Sequence, residues 1–167
     1  MRFSKKKSAF EIDYEKLRGM GYNAIMFDLD NTLVPDGAPA DDKTIDLIRG
    51  LHRLGFQICI LSNNSSYTRV HDFEKVTGVD LAVYKARKPF VRGFYEAMEV
   101  LQVKPEETIF VGDRVFTDML GGLSSGLYTI LVSPVDKNTD NFGTRIFRKI
   151  ERPIRGTINL ISRIRWT

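Results

Sequence analysis

The segment Ala24-Ile25-Met26-Phe27-Asp28-Leu29-Asp30-Asn31-Thr32-Leu33 decides how the rest of this 167-residue chain is read. Ala24 to Leu29 reads as a buried strand, and the tract from Phe27 to Leu33 sets two carboxylates, Asp28 and Asp30, where that strand runs out of apolar residues. Side chains two apart on extended backbone point the same way, so both can face one mouth. Two like charges so close need a cation, or one of them must hold a proton.

Outward from this strand the pattern repeats a short apolar run, a turn and a longer periodic stretch, as βαβ units do. Asp41 to Leu54 reads as a helix opened by an acidic turn, with Ile45, Ile48 and Leu51 at helical spacing and Gly55 closing it. Gln57 to Leu61 is the second strand, Ser66 to Val76 a helix with Gly78 just past its end, and Leu81 to Tyr84 a third strand. Proline is best tolerated at a helix start, so a helix is predicted from Pro89 to Leu101, with Phe90, Phe94, Ala97, Met98 and Leu101 on one face. Thr108 to Gly112 is the fourth strand, a helix around Asp118 to Leu123 follows, and Tyr128 to Val132 is the fifth. The fold class is therefore α/β: a Rossmann-like, doubly wound parallel sheet in three α/β/α layers, whose ligands bind beyond the carboxyl ends of the strands. Asp28 and Asp30, Ser62, Lys88, and Asp113 with Asp118 would converge there. Asp113 adds a third oxygen donor, and a few carboxylates with waters and a substrate phosphate are the usual way to hold magnesium.

Composition narrows the class further. At 43% hydrophobic and 28% charged residues the chain is too apolar to be disordered. Its single cysteine, Cys59, excludes an internal disulfide and a cysteine-built zinc site, and reads as a core residue. The apolar runs fall far short of the roughly 20 residues that span a bilayer. Charges from Glu11 to Arg18 interrupt anything like a signal-peptide core, so a cytoplasmic location is expected. The net charge of +4 hides a split: residues 1–7 carry four Lys/Arg and no acid, residues 8–140 carry 14 against 20 Asp/Glu, and residues 141–167 carry seven against Glu151. Three parts are expected: a basic N-terminal arm and lead-in over 1–22, a core over 23–140, and a basic amphipathic segment over 141–167. In that last segment Ile146, Phe147, Ile150, Ile154, Ile158, Leu160, Ile161, Ile164 and Trp166 alternate with arginines, with Pro153 and Gly156 interrupting. An acidic body with basic ends suggests a polyanionic partner, RNA or an anionic membrane surface, against the plainer reading of a solvated surface.

The tract Asp28-Leu29-Asp30-Asn31-Thr32 resembles the first motif of the haloacid dehalogenase superfamily of phosphohydrolases. Leu61-Ser62-Asn63, Lys88-Pro89, and Gly112-Asp113-Arg114 through Thr117-Asp118 follow as its other three motifs, in order and at successive predicted strand ends. Over residues 23–133 the chain most resembles the YqeG-like subfamily IIIA phosphatases, which are related to mitochondrial phosphatidylglycerophosphate phosphatases. The resemblance implies that Asp28 is the nucleophile forming an aspartyl-phosphate and Asp30 the general acid and base, a role that asks the Asp30 pKa to rise above that of Asp28. It implies further that Ser62 and Asn63, with Asn31 and Thr32, bind the substrate phosphate and that Lys88 neutralises charge. Magnesium would sit between Asp28, the backbone carbonyl of Asp30 and Asp113, with Asp118 binding directly or through another group.

Plainer readings stand beside these. Ser62 alone would be a helix cap, Asp118 an N-cap, and Arg87 a surface charge, while Lys85 is a rival to Lys88. His52 and His71 read as surface or packing residues, and the Gly121-Gly122 and Gly126 cluster as tight packing rather than a phosphate loop. The 32 residues from Asp30 to Ser62 and the 26 from Ser62 to Lys88 are already used by predicted elements, which leaves no room for a large cap domain. An open mouth beside basic ends points to a large or membrane-borne phosphate ester such as phosphatidylglycerophosphate. The rivals are a broad sugar-phosphate or nucleotide phosphatase, and an RNA- or ribosome-binding module with a vestigial site.

Overall fold

The computed structural model describes residues 3–136. The amphipathic segment expected over 141–167 and the N-terminal Arg2 lie outside the described residues. In chain order the elements are β1 (Phe3–Lys5), α1 (Tyr14–Gly19), β2 (Ala24–Phe27), α2 (Asp42–Arg53), β3 (Gln57–Leu61), α3 (Tyr67–Thr77), β4 (Leu81–Val83), α4 (Arg92–Leu101), β5 (Thr108–Gly112), α5 (Leu120–Ser124) and β6 (Tyr128–Leu131). Six parallel strands form one sheet in the order β1-β6-β5-β2-β3-β4.

The core follows from strand alternation. Ile25, Phe27, Ile58, Ile60, Ile109 and Val111 point to one face, where they meet Tyr14 and Leu17 of α1, Ile48 and Leu51 of α2, and Val70 and Phe73 of α3. Met26, Cys59 and Phe110 point to the other, against Phe94, Ala97 and Met98 of α4 and Met119. Cys59 is thus a buried core thiol. Both faces are covered, which is why the central strands are apolar at nearly every position rather than at alternate ones.

Local chemistry sets the helix ends. Asp41 and Ser66 cap α2 and α3 by accepting the N–H groups of Thr44 and Arg69, and Gly78 closes α3 in the left-handed region. Register then fixes the site: Phe27 pairs with Ile60 on one side and Val111 on the other, so the residues that follow β2, β3 and β5 leave the sheet side by side. The β2–β3 and β3–β4 connections hold one helix each, α2 and α3, and among the described residues no inserted domain stands over this edge.

Three local expectations change. The lead-in holds an edge strand, since β1 pairs with β6, and it packs Ala9, Tyr14 and Leu17 into the core; a three-residue strand is too short to show a period. Helix α4 begins at Arg92, not at Pro89, because the chain first makes a turn in which the Phe90 N–H bonds the Arg87 carbonyl, and Phe90 is 71% exposed instead of lying on the buried face. The helix expected around Asp118 starts earlier, as one π-helical turn over Val115–Met119 that runs into α5. The Gly121-Gly122 pair is a packing device, since a Cβ on Gly121 would stand 2.6 Å from the Phe94 ring.

Candidate active site

Asp28 leaves the end of β2 with its N–H still bonded to Val111 O on β5, so its backbone belongs to the sheet although its side chain faces the edge. Asp113 leaves β5 beside it, and Asp118 arrives from the π-helical turn. Carboxylate oxygens of all three lie within 4.8 Å of one another, and all three residues are buried. Close approach of Asp118 depends on Gly112, where a Cβ would stand 2.5 Å from Asp118 Oδ2. The Asp118 side chain accepts the Arg114 N–H at 2.9 Å across that turn. Lys88 Nζ reaches the cluster from the other side, 2.6 Å from Asp28 Oδ1 and 2.9 Å from Asp118 Oδ1. Lys85 instead turns outward, over the Tyr84 ring.

Three buried carboxylates with ligand atoms this close are hard oxygen donors at a spacing that suits a divalent cation such as magnesium. Thr32 Oγ1 spans the gap, 3.4 Å from both Asp28 and Asp113. Burial, opposed by Lys88 and reinforced by Asp118, lifts the Asp28 carboxyl to about 6. Burial pulls the Lys88 ammonium down, but Asp118 and Asp28 outweigh it, and its pKa stands above the ordinary lysine value.

Asp30 lines the same cleft as Asp28 but has partners of its own. Its Oδ1 accepts from Arg69 Nε at 3.2 Å, Arg69 Nη2 at 2.5 Å and the Gly37 N–H at 3.2 Å; its Oδ2 accepts from Asn64 Nδ2 at 3.0 Å. Arg69 also donates from Nη1 to Ala38 O at 2.7 Å. The sequence reading missed Arg69 and Asn64. One signal was present: Arg69 falls in the first turn of the helix capped by Ser66, where the macrodipole disfavours a cation and so calls for an acidic partner.

The groups expected at the substrate phosphate separate. Ser62 is buried at the cleft, its Oγ accepting the Asn64 N–H at 3.1 Å. Asn63 brackets Lys88, its Oδ1 accepting the Lys88 N–H at 2.7 Å and its Nδ2 donating to the Lys88 carbonyl at 2.9 Å, so it positions the lysine. Asn31 is fully buried in the left-handed region, with its carbonyl accepting from Val135 and its Oδ1 from Asp136 at 3.4 Å; it ties the loop after β2 to the segment after β6. The cleft itself, of about 310 Å³, is lined by Asp28, Asp30, Asp36, Ser62, Asn64 and Arg114 among others. Arg114 lies near enough to draw the Asp28 pKa down. The two histidines pair with acids outside this cleft, His52 with Asp80 and His71 with Glu74.

Comparison with known proteins agrees with this geometry. Residues 36–126 match the haloacid dehalogenase-like hydrolase family. The chain is 37% identical to the probable phosphatase YqeG of Bacillus subtilis, over 96% of this chain and 92% of that protein. It is 29% identical to phosphatidylglycerophosphate phosphatase 1, chloroplastic/mitochondrial, of Arabidopsis thaliana over 84% of this chain, and spans 42% of that protein's length. Among solved structures, the cobalt-bound deoxy-D-mannose-octulosonate 8-phosphate phosphatase of Haemophilus influenzae has a similar fold, with a TM-score of 0.55 at 19% identity over 83% of this chain and 89% of that one.

Proposed function

Since this chain belongs to the haloacid dehalogenase-like hydrolases and is a phosphoric monoester hydrolase of that family, we propose that it works through Asp28 as nucleophile, with magnesium as its cofactor and a phosphate ester of a membrane lipid as its substrate. The observation that carries the mechanism is the buried group of Asp28, Asp113 and Asp118 closed by Lys88. Asp28, Asp113, the backbone carbonyl of Asp30 and Asp118 would hold the ion, which when bound supplies charge for the phosphoryl oxygens.

Asp28 attacks phosphorus as its carboxylate while the ester oxygen departs, and Asp30 gives that oxygen its proton. Water then attacks the phosphorus of the aspartyl-phosphate, Asp30 takes the water's proton, and inorganic phosphate leaves with Asp28 regenerated. Lys88 meets the charge that gathers on the nucleophile and the phosphoryl group, and Ser62 supplies a hydroxyl to a phosphoryl oxygen. Arg69 and Asn64 fix the direction in which Asp30 faces. Thr32 spaces the two carboxylates, and Asn63 sets Lys88. In this reading Asn31 shapes the loop without touching phosphate.

The lipid substrate rests on three supports. One relative is named a phosphatidylglycerophosphate phosphatase, the cleft has no inserted domain over it among the described residues, and the chain's ends are basic. The test is magnesium-dependent phosphate release from phosphatidylglycerophosphate in anionic vesicles beside a panel of soluble phosphate esters, with Asp28→Asn as control. Lipid turnover well above the panel and lost in the variant is the expected result. Turnover of soluble esters alone would replace the lipid by a sugar phosphate or nucleotide, and no turnover at all, beside tight salt-sensitive RNA binding, would favour a binding module.

A further inference from the structure

The loop that delivers Lys88 to the site also carries an outward face. From Lys85 to Lys88 burial alternates: Lys85 is exposed, Ala86 buried, Arg87 exposed and Lys88 buried. Lys85 and Arg87 both hold positive φ, 50° and 56°, a conformation that L residues seldom adopt and that kinks the chain so that inward and outward side chains follow each other at once. The inward residues are anchored. Ala86 N–H bonds Ser62 O at 2.9 Å, and Gly93 at the start of α4 leaves room for the Ala86 carbonyl, which a Cβ there would approach to 2.7 Å.

The outward side chains form a rim of aromatic and basic residues. Phe90 is 71% exposed, Tyr67 57% and Tyr84 39%, with the Tyr67 and Tyr84 rings edge to face at 5.4 Å. Lys85, Arg87 and Arg92 stand among them, Arg92 paired with the exposed Glu96 at 2.6 Å. A groove of about 620 Å³ runs between Tyr84, Lys85, Arg87 and Phe90. The rim is continuous with the catalytic cleft, since the Lys85 N–H bonds the carbonyl of Asn64, which lines that cleft.

We infer that this rim, Tyr84, Lys85, Arg87 and Phe90 with Tyr67 beside them, is the surface by which the protein docks on an anionic bilayer, with its cleft opening at the headgroup layer. The inference rests on the lipid-substrate reading above. Aromatic side chains with one apolar and one wet end settle at the headgroup level, and lysine and arginine beside them add attraction to anionic lipid. Phe90, two residues from the buried Lys88, is 71% exposed and belongs to neither core cluster of the fold. At an interface it would lower the free energy of the docked state.

The test uses the full chain, sedimented with vesicles of phosphatidylcholine alone and of phosphatidylcholine with phosphatidylglycerol. Lys85→Gln combined with Arg87→Gln is expected to weaken binding to the anionic vesicles about 25-fold, at about fivefold per basic residue. Phe90→Ser is expected to weaken it about tenfold. Turnover of a soluble phosphate ester should stay at the wild-type level in both variants, which shows that they fold. Turnover of lipid phosphate should fall in vesicles and hold in detergent micelles. Vesicle binding that survives both variants would place the membrane contact elsewhere and overturn the inference, as would loss of RNA affinity with vesicle binding intact. If the wild type cleaves no lipid phosphate even in micelles while binding still depends on the rim, the substrate reading fails and the docking surface stands.

Discussion

Asp28 and Asp30 are two residues apart and inhabit different environments. Asp28 sits in a buried cluster with Asp113, which leaves the neighbouring strand β5, and the positions of those two strands are dictated by sheet register. Asp30 is held from outside, by Arg69 and Asn64, on a loop and helix whose placement depends on how α3 packs. The inner cluster gathers three buried carboxylates, two of them in contact with Lys88. The outer carboxylate is individually matched. Under the proposed mechanism the nucleophile and the ion's ligands would sit in the buried cluster and the proton carrier on a separate support, so the two should respond differently to substitution.

The largest expected effect is at the inner cluster. Asp28→Asn should abolish turnover, to below about one part in ten thousand of wild type as measured by phosphate release. The same change should raise the melting temperature in the absence of magnesium. The sign follows from the Asp28 pKa, about 6 in the fold against 3.8 when exposed. The folded state binds the extra proton between those values, so the contribution of Asp28 to stability falls as pH rises from about 4 to about 6 and stays unfavourable above that. The difference between variant and wild type should therefore open across that window, and millimolar magnesium should narrow it. A variant that is less stable than wild type at pH 7 without magnesium would break this half of the comparison.

Lys88→Met removes the only ammonium in contact with Asp28 and Asp118 among the described residues, and leaves buried carboxylates without it. Stability should fall by about 3–5 kcal/mol in chemical denaturation, with part of the loss regained in magnesium. At the outer support Arg69→Ala should lower kcat about 10- to 100-fold, shift the pH profile of kcat and leave KM near wild type; Arg69→Lys should recover only part of it, because one ammonium cannot reproduce the forked contact. An unchanged pH profile would remove Arg69 from any role in positioning Asp30. The smallest effect belongs to Asn63→Ala, which frees the backbone of Lys88 and should cost about 1–2 kcal/mol and a few-fold in kcat.

Much of the fold was legible in the sequence, for a physical reason. Central parallel strands buried on both faces are short apolar runs, and β3 and β5 have the predicted bounds, Gln57–Leu61 and Thr108–Gly112. The inner cluster was legible too, because strand-end residues converge wherever the register is level. Asn31 shows where this ends: its place beside a motif aspartate does not reveal that it accepts hydrogen bonds from backbone N–H groups a hundred residues away in sequence. Long-range pairing of that kind leaves no local trace. The Arg69 contact with Asp30 spans 39 residues, and only its position in the first turn of a helix hinted at it. Phe90 was misjudged because helical spacing extends naturally back to Pro89, whereas the positive φ angles at Lys85 and Arg87 belong to a loop that periodicity does not encode.

The most direct test of the central claim is to quench turnover in acid and locate the phosphoryl group by peptide mass spectrometry, using Asp30→Asn to slow hydrolysis of the intermediate. The expected result is phosphate on the peptide containing Asp28, formed only with magnesium and absent from the Asp28→Asn protein. Turnover that proceeds with that peptide unmodified at every time point, in wild type and in Asp30→Asn alike, would contradict the account.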